Sequence, residues 1–84
     1  MHEIPIEDSI DLHTFQPKEI KIVLEEYLFQ AVNRGYREVR IIHGRGIAVQ
    51  REIVRSILST HPDVVLFRDA ADRGSTYAVL GRKT

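Results

Sequence analysis

Asp11 and His13 stand two residues apart in Ser9-Ile10-Asp11-Leu12-His13, and His43, Gly44, Arg45 and Gly46 follow directly on a second apolar run. A carboxylate beside an imidazole can orient the ring for proton transfer near neutral pH. On an extended strand, residues two apart share a face, so Asp11 and His13 should look out together while Ile10 and Leu12 pack inward. The alternative is an edge pair that only faces water. In the second group, glycines on both sides of Arg45 allow the backbone to approach a ligand, and the N–H groups at the start of a following helix attract anions. Arg45 would add a planar fork suited to phosphate. An ordinary glycine turn from strand to helix is the competing reading, and the loop is not a nucleotide P-loop because no Lys-Ser or Lys-Thr pair follows. Two histidines converging with one aspartate could in principle hold a divalent metal, but no helical ligand pair or third carboxylate accompanies them, so no structural metal is expected.

These residues need a scaffold, and the apolar spacing supplies one. Ser9 to His13 alternates as a strand with one buried face. Gln16-Pro17 reads as a helix entry. Ile20, Val23, Leu24, Tyr27, Leu28 and Ala31 then recur at helical spacing until Gly35. Glu38 to Ile42 is a short β-branched run and reads as the second strand. Val49, Ile53, Ile57 and Leu58 define one face of a second helix, which ends before His61-Pro62 because proline disfavours helical geometry in the residue ahead of it. His61 reads as solvated surface in that turn. Val64 to Phe67 and Thr76 to Leu80 are the last strands, joined as an antiparallel hairpin through Asp69 to Ser75. Thr76 and Tyr77 are candidates for an open sheet face, where an aromatic ring can stack on a base. The order β-α-β-α-β-β predicts an α/β, two-layer α+β sandwich. Right-handed crossovers would set the first three strands parallel and both helices on one face of a mixed four-stranded sheet. Loops leaving the strand carboxyl ends then gather along one edge, which brings His13 and His43 to a common place.

The 84 residues suffice for one domain, read as an extended arm over 1–8 and a folded unit over 9–84. A chain this short has little room for a deep enclosed cavity. Without cysteine there is neither a disulfide scaffold nor a thiolate zinc site. No apolar stretch reads as a membrane span or signal peptide, so the cytoplasm is the expected location and no membrane partner is expected. The formal charge is zero, yet residues 1–29 carry seven acids and two bases while residues 30–84 carry ten bases and five acids. Nine of the twelve bases are arginine, so an arginine-rich second half facing a polyanion is one reading and a solvated mixed surface the other.

Taken together, Ile10-Asp11-Leu12-His13, His43-Gly44-Arg45-Gly46 after an apolar strand, Arg51 in the next helix, and Gly74-Ser75-Thr76 leading to Leu80 resemble the small MutS-related (Smr) domain, over about residues 9 to 82. The resemblance implies a fold similar to the C-terminal domain of translation initiation factor three, with the last strand antiparallel and inserted between its neighbours. It also implies endonuclease activity, nicking of DNA or cleavage of RNA, carried here by a domain on its own. Asp11 and His13 match the family's Asp-x-His pair, thought to act in cleavage. Residues 43–46 match its His-Gly-Lys/Arg-Gly loop, and Arg51 matches a basic position after it. Three places depart from the pattern. Ala48 stands where a further glycine is usual, Gln50 where leucine is usual, and Ala71-Asp72 where a glycine pair usually opens the last motif. Asp72 sets an acid near the expected phosphate path, with Arg73 beside it to compensate.

The resulting expectation is a phosphodiester-cleaving endonuclease, on RNA ahead of DNA. His13, oriented by Asp11, would take a 2′-hydroxyl proton, and His43 would protonate the leaving oxygen. Arg45 with the Gly44 and Gly46 amides would stabilise the phosphorane. Arg51, Arg73, Gly74 and Thr76 complete the expected phosphate-binding set. No resident cofactor is called for, although Mg2+ with Asp11 as ligand is the variant scheme on DNA. A non-catalytic nucleic-acid or ribosome-binding module is the alternative, and in either case a monomer is expected.

Overall fold

The computed structural model describes residues 7–44 and 48–81, within which four strands and two helices alternate as β1 (Ser9–Asp11), α1 (Pro17–Asn33), β2 (Glu38–Ile42), α2 (Ala48–Thr60), β3 (Val64–Asp69) and β4 (Ser75–Leu80). The strand order in the sheet is β1-β2-β4-β3. β1 runs parallel to β2, and β4 is antiparallel to both β2 and β3, so the first three strands share one direction and the last is inserted between β2 and β3. This is the expected two-layer α+β arrangement. Of the expected arm over residues 1–8, residues 1–6 lie outside the described residues. Glu7 and Asp8 are held: the Tyr27 hydroxyl donates to the Glu7 carbonyl at 2.6 Å, and the Arg40 N–H donates to the Asp8 carbonyl at 2.9 Å.

Helix α1 starts and stops where its sequence dictates. Pro17 fills the first turn, where a missing N–H costs nothing. Glu19 closes the entry reciprocally, its carboxylate accepting the Gln16 N–H at 2.9 Å while its own N–H donates to the Gln16 carbonyl at 2.9 Å. At the other end Gly35 adopts φ +80°, the Gly35 N–H reaches the Val32 carbonyl and the Tyr36 N–H reaches the Ala31 carbonyl. That pair of bonds is the Schellman motif, which needs a left-handed residue and so favours glycine. Ile20, Leu24, Tyr27, Leu28 and Ala31 form its buried stripe.

The core fills the space between the helices and one sheet face, from Ile10 and Leu12 through Val39 and Ile41 to Val54, Leu58, Ala78 and Leu80. Two expected details change. β1 ends at Asp11 rather than His13, although the Leu12 N–H still reaches the Ile42 carbonyl at 2.7 Å. In helix α2 the expected Ile57 and Leu58 are buried, but the first two buried positions are Gln50 and Val54, while Ile53 is half-buried and Val49 is largely exposed. The physical reason is the side-chain amide of Gln50, which finds backbone carbonyls to bond inside and so takes the inward place that an apolar residue was expected to hold.

Among the described residues, no helix covers the second sheet face. Strand alternation and register place Asp11, Glu38, Arg40, Tyr77, Leu66 and Arg68 on it. Tyr77 is half-buried there, with the Arg68 guanidinium 4.5 Å and the Arg40 guanidinium 6.0 Å from its ring centre. No helix among the described residues is long and apolar enough to cross a membrane.

Candidate functional site

Because β1 and β2 are parallel neighbours with Asp11 opposite Ile42, their carboxyl ends emerge side by side, one leading to His13 and the other to His43 and Gly44. Asp11 closes β1 on the open side of the sheet. Its Oδ1 accepts the His13 backbone N–H at 3.0 Å and makes a short hydrogen bond with His13 Nδ1. With the proton on Nδ1, Nε2 is the ring's basic nitrogen, and about half of each side chain is exposed. Partial burial pushes the Asp11 carboxyl up, but the bonds from the His13 ring and N–H, with the ring's charge, outweigh it and hold the group below the usual carboxylate range.

His43 has the opposite fate. It continues the inward parity of Val39 and Ile41, and its ring is 1% exposed. Nε2 lies 3.0 Å from the Thr76 hydroxyl and Nδ1 faces the Gly44 carbonyl at 3.3 Å. The expected delivery of a proton from this ring to a leaving oxygen would need the ring to reach the surface, and the same alternation that buries Ile41 buries His43. Thr76 is corrected from the open face to the core side, fully buried, because it shares parity with Ala78 and Leu80. Tyr77, its neighbour, takes the open face instead.

The β3–β4 hairpin holds the backbone of His43 and Gly44. The Gly74 carbonyl accepts the N–H groups of both His43 and Gly44 at 3.0 Å, and the Gly74 N–H donates to Asp72 at 2.9 Å, so Gly74 acts through its backbone within the fold. Gly44 has φ +98°, which a side chain would strain. Arg45 and Gly46 lie outside the described residues. Asp72, a departure from the family pattern, organises the turn: it also accepts the Ser75 hydroxyl at 3.1 Å and pairs with Arg40. The Gly74 N–H, the Ser75 hydroxyl and the Arg40 charge outweigh the slight desolvation and lower its carboxyl. Its charge is thus committed to Arg40, while Arg73 is exposed at φ +62°, the one non-glycine left-handed residue among those described.

On the helix side of the sheet, Asp69 holds two arginines, pairing with Arg51 and accepting Arg55 Nη1 at 2.9 Å. The hydrogen bond with Asp69, then its charge, raises Arg51 further, and Asp69 is lowered chiefly by its bond with Arg51. The Thr76 hydroxyl lies 3.5 Å from Asp69, linking this cluster to His43. Between the hairpin and α2 opens a cleft of about 600 Å3, with Gly44, Ala48, Arg51, Asp69, Ala71 and Arg73 among its lining residues. The fold thus brings Gly44, Arg51 and Arg73 to one cleft and sets the Asp11–His13 pair on the neighbouring strand end. Asp69 and Gln50 were not among the expected site residues. Parity with Phe67 could have placed Asp69 on the helix side, and Asp72-x-Gly74 is a readable Asx-turn pattern. No group of three or more His, Asp or Glu side chains among the described residues converges as a metal site.

Comparison with known proteins agrees with this architecture. The profile of the Smr domain matches residues 10–80. An endonuclease MutS2 of Caldicellulosiruptor saccharolyticus is 36% identical over 69 residues, covering 82% of this chain and 9% of that protein. The Helicobacter pylori endonuclease MutS2 is 36% identical over 61 residues, 73% of this chain and 8% of its own length. The chain therefore spans about a tenth of these relatives. Among solved structures, the Smr domain of Thermus thermophilus MutS2 superposes with a TM-score of 0.82 at 26% identity, covering 87% of this chain and 96% of that one. YdaL, a stand-alone small MutS-related protein from Escherichia coli, gives 0.84 at 28% identity over 94% and 67%.

Proposed function

The chain belongs to the Smr domain family, and from that premise we propose that it is a nucleic-acid endonuclease that holds a phosphate in the cleft beside α2 and cuts RNA in preference to DNA. The observation that carries this reading is the exposed His13 ring, fixed by Asp11 through Nδ1 with Nε2 left as its base. In RNA the nucleophile is already attached to the substrate. His13 Nε2 takes the proton of a 2′-hydroxyl as O2′ bonds to phosphorus, the bond to the 5′ oxygen breaks, and that oxygen takes a proton from water. Asp11 balances the imidazolium that forms, and a water-activated version of the same step would serve DNA.

Arg51 and Arg73 supply positive charge at the cleft, where the Gly44 backbone also lies, and these carry the phosphate site among the described residues. We assign His43 and Thr76 to holding this loop rather than to touching the substrate, because both are buried and bonded to each other. Gly74 holds the same loop through its carbonyl. A Mg2+ ion would find one carboxylate here, Asp11, and keep waters on its other sites.

One observation favours binding without cutting. Asp69 occupies Arg51 and Arg55, so a phosphate must compete with it, and a large RNA surface such as a ribosome would do so with many contacts at once. The deciding experiment incubates wild type and an Asp11→Ala/His13→Ala variant with labelled single-stranded RNA and supercoiled plasmid, in Mg2+ and in chelator. Cutting of RNA by wild type alone, retained in chelator, is expected. Equal cutting by both proteins would refute the assignment, and salt-sensitive binding with no cutting by either would establish the binding module.

A further inference from the structure

Gln50 sits in the first turn of α2 and is 5% exposed, an amide in a position that α2 otherwise fills with Val54, Ile57 and Leu58. Its Nε2 donates to the Phe15 carbonyl at 2.6 Å and lies 3.5 Å from the His13 carbonyl. Both carbonyls belong to the turn that follows β1, which is closed by the Phe15 N–H to the Leu12 carbonyl at 3.1 Å. The amide thus bonds the Phe15 carbonyl firmly and reaches the His13 carbonyl only at the far limit of a hydrogen bond. Its Oε1, by contrast, is buried with no partner among the described residues. A buried amide oxygen left unpaired is costly, and an apolar side chain of the same size would avoid that cost. What an apolar residue cannot do is hold the backbone of His13 and Phe15.

The ring of His13 is aimed by Asp11, but Asp11 belongs to β1 and says nothing about where α2 lies. Gln50 is the side chain that ties the two together, two residues after Ala48 at the cleft and bonded to the turn that carries His13. We propose that Gln50 is a positioning residue that fixes the backbone of His13 against the start of α2, so that the Asp11–His13 pair is held in register with the phosphate cleft. This rests on the reading of His13 as the proton-moving group, but it makes a prediction that does not need cutting to be seen.

Gln50→Leu keeps the volume and removes both donors and the orphan oxygen. The Phe15 N–H, which closes the turn on the Leu12 carbonyl, should then exchange with solvent about tenfold faster when followed by NMR, because the turn loses the amide that holds it to α2. The melting temperature should not fall, and if wild type cuts RNA, kcat should drop about tenfold or more with KM unchanged, the pattern of a misplaced group rather than a lost contact. Gln50→Met, also apolar and unbranched like glutamine, should repeat the result and decides the matter if the leucine variant does not fold. Unchanged exchange of the Phe15 N–H in a folded variant, or failure of both variants to fold, would overturn the proposal and leave Gln50 as a packing residue. A wild type that does not cut would refute the endonuclease reading while leaving the exchange rate to judge Gln50 by itself.

Discussion

Arg73 offers a test in which stability and binding are expected to move in opposite directions. It holds φ +62° at the tip of the β3–β4 hairpin, anchored by its N–H to the Ala70 carbonyl at 3.1 Å. A residue with a Cβ in this left-handed region costs roughly 1–2 kcal/mol relative to the right-handed one. Glycine removes that strain but returns roughly 0.5–1 kcal/mol through its greater freedom in the unfolded chain. The net expected for Arg73→Gly is a gain of about 0.5–1 kcal/mol, which in a domain of this size raises Tm by about 2–8 °C. The same change removes an exposed guanidinium from the rim of the cleft. Affinity for single-stranded nucleic acid should fall, and the slope of log K against log salt should lessen by about 0.7, the share of one phosphate contact. Thermal melts and fluorescence anisotropy at four or five salt concentrations read both quantities. Arg73→Asn, which also accepts the left-handed region, should lose the affinity with less strain relieved. A lower Tm in Arg73→Gly would refute the strain argument, and an unchanged salt slope would remove Arg73 from the phosphate path.

Asp69→Asn should release Arg51 and Arg55 from their carboxylate and tighten nucleic-acid binding several-fold at low salt, measured by the same anisotropy titration; weaker binding would mean that Asp69 presents the arginines rather than competing for them. Asp11, Asp69 and Asp72 are all held below the usual carboxylate range in the folded protein. Their contribution is therefore fully present above the unfolded value near 4 and is lost as pH falls through the lower folded values. Urea midpoints measured from pH 5 downward should decline below about pH 4, and Asp72→Asn should flatten that decline; an identical profile in the variant would contradict the bonds assigned to Asp72.

Much of the scaffold can be read from local chemistry, because Pro17, Glu19 and Gly35 each act on their own neighbours and the apolar stripe of α1 follows from spacing. The insertion of β4 between β2 and β3 is different: hairpin spacing sets β4 beside β3, but nothing local states that its other edge meets β2. That point came from the family resemblance and agrees with the register. Within the site, Asp11 and His13 were legible because strand parity and chemistry agree on them. His43 and Thr76 carry polar side chains, whose chemistry suggests an exposed place, on the inward parity that Val39, Ile41, Ala78 and Leu80 display. Val49 was misplaced for the converse reason, since an apolar residue was preferred over Gln50 for the buried side of α2. The pairing of Asp69 with Arg51, and of Asp72 with Arg40, joins residues far apart in the chain and had no local signature.

The account stands most directly on His13. Single-turnover cleavage of a labelled single-stranded RNA by wild type and His13→Ala, with binding measured on the same RNA, separates chemistry from affinity. A loss of at least about a hundredfold in rate with affinity nearly unchanged is expected, the scale of removing a general base. Cutting at the wild-type rate by His13→Ala would contradict it.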